Sequence, residues 1–256
     1  MVLIATPSAL LPGIGSDGQQ MVALVALFAG LLTFVEYNAT YPGLVEFRDA
    51  PPYNRTRYLM LFFLSVSARN DSVPTTLGTL VEALSYLCGI ALDFPYSPVR
   101  LVTLMLADTP ATVQAVRSAA GTTYMIALLS LGVFVIVLRF QDWPARSGAF
   151  NVWVNLPTFD PTVGGDVVAR LERDARVNLA LGFVLPFVIP AVVKLGGKGL
   201  VVFDIASPQT MVWMIAAWAF LPASLFMRGI AMARIAGMIR LKRAQEGHGA
   251  AGLAPV

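Results

Sequence analysis

The sequence predicts an all-α integral membrane protein with about five transmembrane helices and further interfacial amphipathic helices. Hydrophobic residues make up 57% of the 256-residue chain and charged residues only 13%, about half the charged fraction of a soluble domain. The mean hydropathy is +0.70. Stretches free of charge also recur at close to the 20 residues that a span requires. These totals disfavour a disulfide scaffold, a disordered chain and a nucleic-acid-binding module.

The charge-free stretches locate the predicted spans. Four charge-free stretches, at residues 18–35, 118–138, 177–193 and 205–227, predict spans at about 19–36, 119–138, 177–194 and 208–228. A fifth span is predicted at about 74–93, where Glu82 is the single charge within residues 72–92. Residues 1–243 are therefore expected to form one polytopic domain, and residues 244–256 a C-terminal tail.

Three shorter segments are predicted to lie at the membrane surface. Residues 1–12 are apolar but contain Pro7 and Pro12, and no basic residue precedes Arg48, so we expect an interfacial or partner-contacting segment and no secretory signal. Residues 58–68 would reach about 16 Å as a helix, too short to cross. The region 95–118 holds two short amphipathic pieces, one within 97–107 and one after Pro110.

The charge distribution predicts the orientation. With five spans, most of the 18 Lys and Arg residues fall on one side, which the positive-inside rule assigns to the cytoplasm. The N-terminus is then outside and the C-terminus cytoplasmic. The excess of Arg over Lys, with abundant Ala, Val, Leu and Gly, is typical of GC-rich bacteria, so we expect a bacterial inner membrane.

The loop between the third and fourth predicted spans is rich in aromatic residues. They belong either to an aromatic belt at the headgroup level or to a partner-docking loop that contains Trp143, Phe150, Trp153 and Phe159. Apolar and polar residues also alternate over residues 150–156, the pattern of a short strand.

Glu82 is the acidic residue inside a predicted span. At helical spacing it shares a stripe with Thr79 and Tyr86. Intramembrane carboxyls are functional hypotheses by default, here a proton or cation site. We favour the structural alternative, in which the stripe packs against another helix and Glu82 is neutral or hydrogen-bonded.

Two further patterns concern the last two spans. Pro186 and Pro190 predict a kinked fourth span. Gly164, Gly165 and Asp166 predict its helix start, followed by a solvated first segment with a Glu172–Arg176 pair. The fifth span is followed by a basic juxtamembrane cluster, which predicts contact with anionic lipid at the cytoplasmic face: Arg228, Arg234, Arg240, Lys242 and Arg243.

No cofactor, metal or catalytic site is predicted. Cys88 and His248 are the sole Cys and His, too few for a haem, chlorophyll, iron–sulfur or structural zinc site ligated by this chain. No hydrolase, metalloprotease or nucleotide-binding motif occurs at a usable position.

The expected function is therefore that of a non-catalytic accessory, assembly or scaffold subunit of a larger membrane complex, in contact with the bilayer and with other membrane subunits. The alternative is a small transporter or channel that uses Glu82 and the proline-kinked fourth helix. A membrane-embedded enzyme ranks third.

Overall fold

A computed structural model describes residues 1–10, 16–67, 76–106, 109–144, 151–160, 162, 164–200 and 208–251. Most residues in these ranges are helical, and no strand occurs in them. The helices are α1 (Val2–Leu10), α2 (Ser16–Asn38), α3 (Pro51–Ser67), α4 (Thr76–Leu92), α5 (Pro98–Leu106), α6 (Pro110–Phe140), α7 (Val152–Asn155), α8 (Val167–Leu200) and α9 (Pro208–Ala251).

Four of the described helices are long and apolar enough to cross a membrane. Their candidate spans are Gln19–Asn38 in α2, Thr112–Phe140 in α6, Val167–Leu195 in α8 and Thr210–Gln245 in α9. The 17-residue α4 is apolar but shorter, with a length of about 26 Å. The chain is thus an all-helical protein with the pattern of a multi-pass membrane protein.

The antiparallel pair α8 and α9 forms the centre of the bundle, because small residues let the two backbones approach. A Cβ atom on Gly182 would lie 2.9 Å from the backbone oxygen of Pro222, and one on Gly229 would lie 2.9 Å from that of Ala175. In the most apolar window of α9, 44% of the residues are buried. Ala216, Ala219 and Ala223 give this helix a small-residue face, and all three are buried.

Helix α3 packs lengthwise along α6, which corrects the prediction that residues 58–68 lie at the interface. Its first turn places the Tyr53 ring 5.8 Å from that of Phe134, and its last turn places the Ser67 hydroxyl 3.4 Å from that of Thr123. The apolar run of residues 58–68 predicts a surface segment because it is too short to cross a membrane. Its buried side of Met60, Leu64 and Ser65 instead faces the bundle.

The prediction of two surface pieces within 95–118 is half wrong. The piece after Pro110 is the start of the 31-residue α6, capped by Thr109, whose hydroxyl accepts a hydrogen bond from the Thr112 backbone N–H. The first piece is α5, which buries Val99 and Val102 among others and contacts α6 and α8. Pro110 begins a helix here because proline suits the first helical turn.

Helix α2 lies at the edge of the described bundle. Only 6% of its apolar window is buried. Helix α1 contacts α2 and α3, and Met1 approaches Gly30 so closely that a Cβ atom there would lie 2.4 Å from the Met1 side chain. The predicted interfacial segment thus packs within the chain.

The alternating pattern of residues 150–156 does not form a strand. Val152–Asn155 is a single helical turn, α7, and the Asn155 backbone N–H donates to the Asn151 oxygen at 3.1 Å. Burial does not follow the alternation. Val154, Asn155 and Leu156 are all buried, so the polar Asn155 is as enclosed as its apolar neighbours.

Candidate functional site

Most cations of the predicted basic juxtamembrane cluster form ion pairs or hydrogen bonds with other residues of the chain. Arg228 forms a bidentate ion pair with Glu46, with both nitrogen–oxygen distances at 2.8 Å. The Thr158 hydroxyl donates to the same carboxylate at 3.0 Å. On its other side Arg228 donates to the buried Asn178 side chain at 3.3 Å. We call Glu46, Thr158, Asn178 and Arg228 the polar junction; it ties the α2–α3 loop to α8 and α9.

The remaining members of the cluster are held in the same way. Arg234 donates to the backbone oxygens of Leu138 and Trp143 at 2.6 and 2.9 Å. Arg243 pairs with Asp166 at 2.6 Å, and Arg240 pairs with Glu172. Lys242 is exposed and has no ion pair among the described residues. Four of the five predicted lipid-binding cations therefore have protein partners.

At the start of the fourth predicted span, the helix begins as predicted but the ion pair of Glu172 differs from the prediction. Helix α8 begins after Asp166 as predicted, and that carboxylate accepts from the backbone N–H groups of Val168 and Ala169 at 3.3 Å. The hydrogen bond from Arg243 is the largest cause that lowers the pKa of Asp166. Glu172 pairs with Arg240 of α9 in place of the predicted partner Arg176.

The predicted docking loop is partly interior. Trp143 is 4% exposed and Phe159 is 5% exposed. The Trp143 ring meets Phe47 edge-on at 6.2 Å, and the Arg170 guanidinium lies 4.6 Å from the centre of the Phe159 ring. These two aromatic side chains fill the chain's own core and are not available to a partner or to the headgroup region.

The other two members of the predicted docking loop are Phe150 and Trp153. Phe150 and the side chain of Trp153 lie outside the described residues. Two residues after Trp153, Asn155 fastens α7 to the α2–α3 loop. Its backbone oxygen accepts from the Phe47 N–H at 2.6 Å, and its side-chain oxygen accepts from the Asp49 N–H at 3.0 Å. The loop therefore has a structural contact that the sequence did not indicate.

The polar stripe of α4, predicted to pack against another helix, faces outward from this chain. Thr79 and Glu82 are exposed, and Tyr86 is 46% exposed. The face that does pack is marked by glycine: a Cβ atom on Gly121 of α6 would lie 2.6 Å from the Cα atom of Gly89. This close helix crossing turns Glu82 away from α6.

The proline pair of α8 serves packing. Pro190 has no N–H group, so the backbone oxygen of Pro186 loses its helical donor. The Trp218 indole N–H of α9 donates to that oxygen at 3.0 Å, and the Trp218 ring stacks on Tyr124 at 5.4 Å. Both prolines are buried. The oxygen that the prolines free is therefore engaged by α9, whereas Glu82 lies on α4, which packs on α5 and α6.

A second ionic cluster lies where α4 meets α5 and α6. The Asp93 side chain is 5% exposed and lies 3.2 Å from Arg100 and 3.6 Å from Arg117. The sequence could not place the two arginines around it, because both lie on later helices.

A basic cleft that sequence reasoning passed over opens at the start of α8. It has a volume of about 460 Å³ and is lined by Gly164, Gly165, Asp166, Ala169, Arg170, Arg173 and Arg176. The spacing of its three arginines was visible in the sequence, but we interpreted the segment as a solvated helix extension.

Metal and thiol chemistry find little support in the described ranges. There, no three His, Cys, Asp or Glu side chains lie close enough to hold a metal ion. Cys88 is a free, half-buried thiol, and the His248 side chain lies outside the described residues. The structure thus offers two candidate sites, the outward-facing Glu82 stripe and the basic cleft.

Comparison of the chain with protein-family models, with curated protein sequences and with solved structures yields no match.

Proposed function

We propose that the chain is a non-catalytic accessory, assembly or scaffold subunit of a larger membrane complex. The observation that carries this proposal is the outward position of Glu82 on the apolar helix α4. A charge in the middle of a span costs about 2.5–3.5 kcal/mol on insertion scales. A hydrogen-bond donor on a neighbouring helix of another subunit would relieve that cost.

The surroundings of Glu82 favour a protein partner over lipid. Thr79 and Tyr86 lie on the same face at helical spacing, so three side chains with hydrogen-bonding groups point in one direction. Polar side chains of this kind connect helices within membranes. Exposed apolar neighbours flank the stripe, namely Leu80, Val81, Leu84 and Leu87. Such a face fits an apolar helix that carries one or two polar groups.

The alternative of a small transporter or channel receives less support. It requires Glu82 and the kinked α8 to line one path. The carbonyl that the kink frees accepts a hydrogen bond from Trp218, and Glu82 faces away from the bundle. A titratable carboxyl at the surface of the bundle could still serve a path formed with a partner, and the Glu82 variants below separate the two functions.

The test is site-specific photo-crosslinking in native membranes. A photoreactive phenylalanine derivative in place of Tyr86 should form one dominant protein adduct. The same group at Phe183 of α8, which is 65% exposed, is the matched control and should give none. Glu82→Leu should lower the Tyr86 adduct roughly fivefold or more, since an unsatisfied donor costs about 1–3 kcal/mol. Glu82→Gln should retain it.

Two outcomes would count against the subunit proposal. One is the absence of an adduct from position 86, or equal adducts from 86 and 183. The other is a Glu82→Gln variant as damaging as Glu82→Leu with normal insertion, because the ionisable proton itself would then matter and the transporter would become the better proposal.

We further propose that the N-terminus lies outside and the C-terminus in the cytoplasm of a bacterial inner membrane. The support is the excess of Lys and Arg on one side of the predicted spans. Reporter fusions after Lys198 should report the outside and fusions after Arg243 the cytoplasm. Both fusions on the same side would contradict this topology.

A further inference from the structure

The basic cleft at the start of α8 carries three arginines on one helical face. Arg170, Arg173 and Arg176 are spaced three residues apart, so their side chains project to the same side. The exposed Gly164 and Gly165, which precede the helix, complete the lining. The cleft therefore concentrates positive charge in a concave site of about 460 Å³, within the size range of small-molecule sites.

The charge of this cleft is poorly neutralised by the chain. Arg173 contacts its neighbour Asp174 at 3.5 Å, with 68% of the Arg173 side chain exposed. Arg176 is exposed and has no ion pair within the described ranges. The acidic residues on the same turns are engaged by α9, since Asp166 pairs with Arg243 and Glu172 with Arg240.

Arg170 differs from the other two because it is held in place. Its guanidinium donates to the backbone oxygen of Asp160 at 2.8 Å and lies over the Phe159 ring. It forms a fixed wall of the cleft, whereas Arg173 and Arg176 are free to turn toward a ligand. Guanidinium groups suit phosphate oxygens because they can donate two parallel hydrogen bonds.

An apolar strip continues directly from the cleft along the same face of α8. Val177 follows Arg173 by one helical turn, and Leu181, Val184 and Val188 extend the strip. These four side chains are 39–50% exposed. Arg176 is the last charged residue before a charge-free stretch that reaches Lys194. Basic cleft and apolar strip thus adjoin at the boundary between charged and apolar sequence.

We propose that this surface binds one anionic phospholipid, with its headgroup phosphate at Arg173 and Arg176 and an acyl chain along Val177–Val188. The juxtaposition of phosphate-binding and hydrocarbon-binding surfaces on one helix face favours a lipid over a soluble anion, which needs no apolar strip. The inference is independent of the accessory-subunit proposal, since it requires only that α8 crosses the membrane. It also moves the predicted lipid contact from the cations of α9, which pair with residues of other helices, to the exposed Arg173 and Arg176 of α8.

The experiment measures lipid retention by the purified full-length chain. The chain is incubated with phosphatidylglycerol and phosphatidylcholine of the same acyl composition, and native mass spectrometry counts the lipids that stay bound. The parent chain should retain one phosphatidylglycerol in preference to phosphatidylcholine. Arg173→Gln with Arg176→Gln should lower this retention roughly tenfold. Arg173→Lys with Arg176→Lys, which keeps the charge, should lower it less.

The control pair is Arg55→Gln with Arg139→Gln. Both residues are exposed and lack an ion pair in the described part of the chain, so the net charge falls equally. This pair should retain phosphatidylglycerol within about twofold of the parent. Equal loss from both pairs, or retention by the Arg173 and Arg176 pair, would overturn the proposal. Helicity measured by circular dichroism verifies folding, and Arg176→Gln alone provides the comparison if the double variant unfolds.

A third arm separates a lipid from a soluble anion. Inorganic phosphate in excess should leave phosphatidylglycerol bound, because it cannot replace the acyl contact with the apolar strip. Complete displacement by inorganic phosphate would overturn the lipid assignment in favour of a soluble anion site.

Discussion

Phe47 adopts a backbone conformation that is unusual for a large side chain. Its φ is 54°, in the left-handed region, which costs a non-glycine residue roughly 1–2 kcal/mol. The surroundings compensate for this strain. The ring is fully buried and lies 4.4 Å from that of Tyr53, and the Asn54 side-chain amide donates to the Phe47 backbone oxygen at 2.7 Å.

A glycine should therefore be less harmful than an alanine at position 47. Both Phe47→Gly and Phe47→Ala lose the buried ring, but glycine releases the left-handed strain. The free energy of unfolding of Phe47→Gly should therefore be about 1 kcal/mol higher than that of Phe47→Ala. Phe134, equally buried but inside α6, is the control: there glycine should be worse than alanine by about 1 kcal/mol. The free energy of unfolding in detergent measures both pairs, and the same order at both positions would refute the strain.

Single side chains show where sequence reasoning ends. Glu82 was identified as a candidate because a charge in an apolar run is a local signal. Its direction relative to α6 could not be predicted, because the Gly89–Gly121 contact that sets it joins two helices. The Glu46–Arg228 pair was missed altogether, since its partners are 182 residues apart in the chain.

At the scale of elements, the kink in α8 and the position of α9 are linked through one hydrogen bond. The Pro186 oxygen that Pro190 frees accepts the Trp218 indole N–H. Buried backbone oxygens without a donor are costly, especially where no water is present to replace the donor. The oxygen freed by the proline pair therefore needs a hydrogen-bond donor from a neighbouring helix, and the Trp218 indole of α9 provides it.

A double-mutant cycle tests that link. Trp218→Phe should cost about 1 kcal/mol through the lost hydrogen bond. In a Pro190→Ala background the restored backbone N–H can satisfy the Pro186 oxygen itself, so the added cost of Trp218→Phe should fall to less than half. Thermal unfolding of the four variants gives the coupling energy. Additive effects would show that the indole N–H does not compensate for the proline.

The helices that the sequence predicted well are the long ones. Charge-free runs locate α2, α6, α8 and α9 because hydropathy over 20 residues is a local property. The short elements were predicted poorly. Residues 58–68 were placed at the interface although α3 packs along α6, and α7 was read as a strand, since the structure of a short element depends on what it packs against.

At the scale of the whole molecule, two ion pairs join the beginning of α8 to the end of α9. Asp166 pairs with Arg243 and Glu172 pairs with Arg240. Both pairs lie at one end of the bundle, beyond the charge-free stretch of α8. They extend the α8–α9 contact into the part of α9 that the sequence had assigned to the lipid surface.

The Asp166–Arg243 pair should make the end of α9 sensitive to acid. The pKa of Asp166 is lowered in the folded chain, so its contribution to stability is present above the unfolded value of about 3.9 and is lost as the pH falls through the lower folded value. Hydrogen exchange over residues 240–245, corrected for intrinsic rates, should be faster in Asp166→Asn than in the parent at pH 6. As the pH falls below the unfolded value, that difference should shrink, because the contribution of the ionised pair to stability is then being lost.

The control for this prediction is Asp174→Asn. Asp174 pairs with its neighbour Arg173, so its loss should leave exchange at 240–245 unchanged at pH 6 and below. Because Asp166 and Arg243 are both about half exposed, 0.5 M salt should also screen the pair and reduce the difference at pH 6. A difference that persists unchanged below the unfolded value and in high salt would mean that Asp166 acts as the helix cap of α8 and not through Arg243.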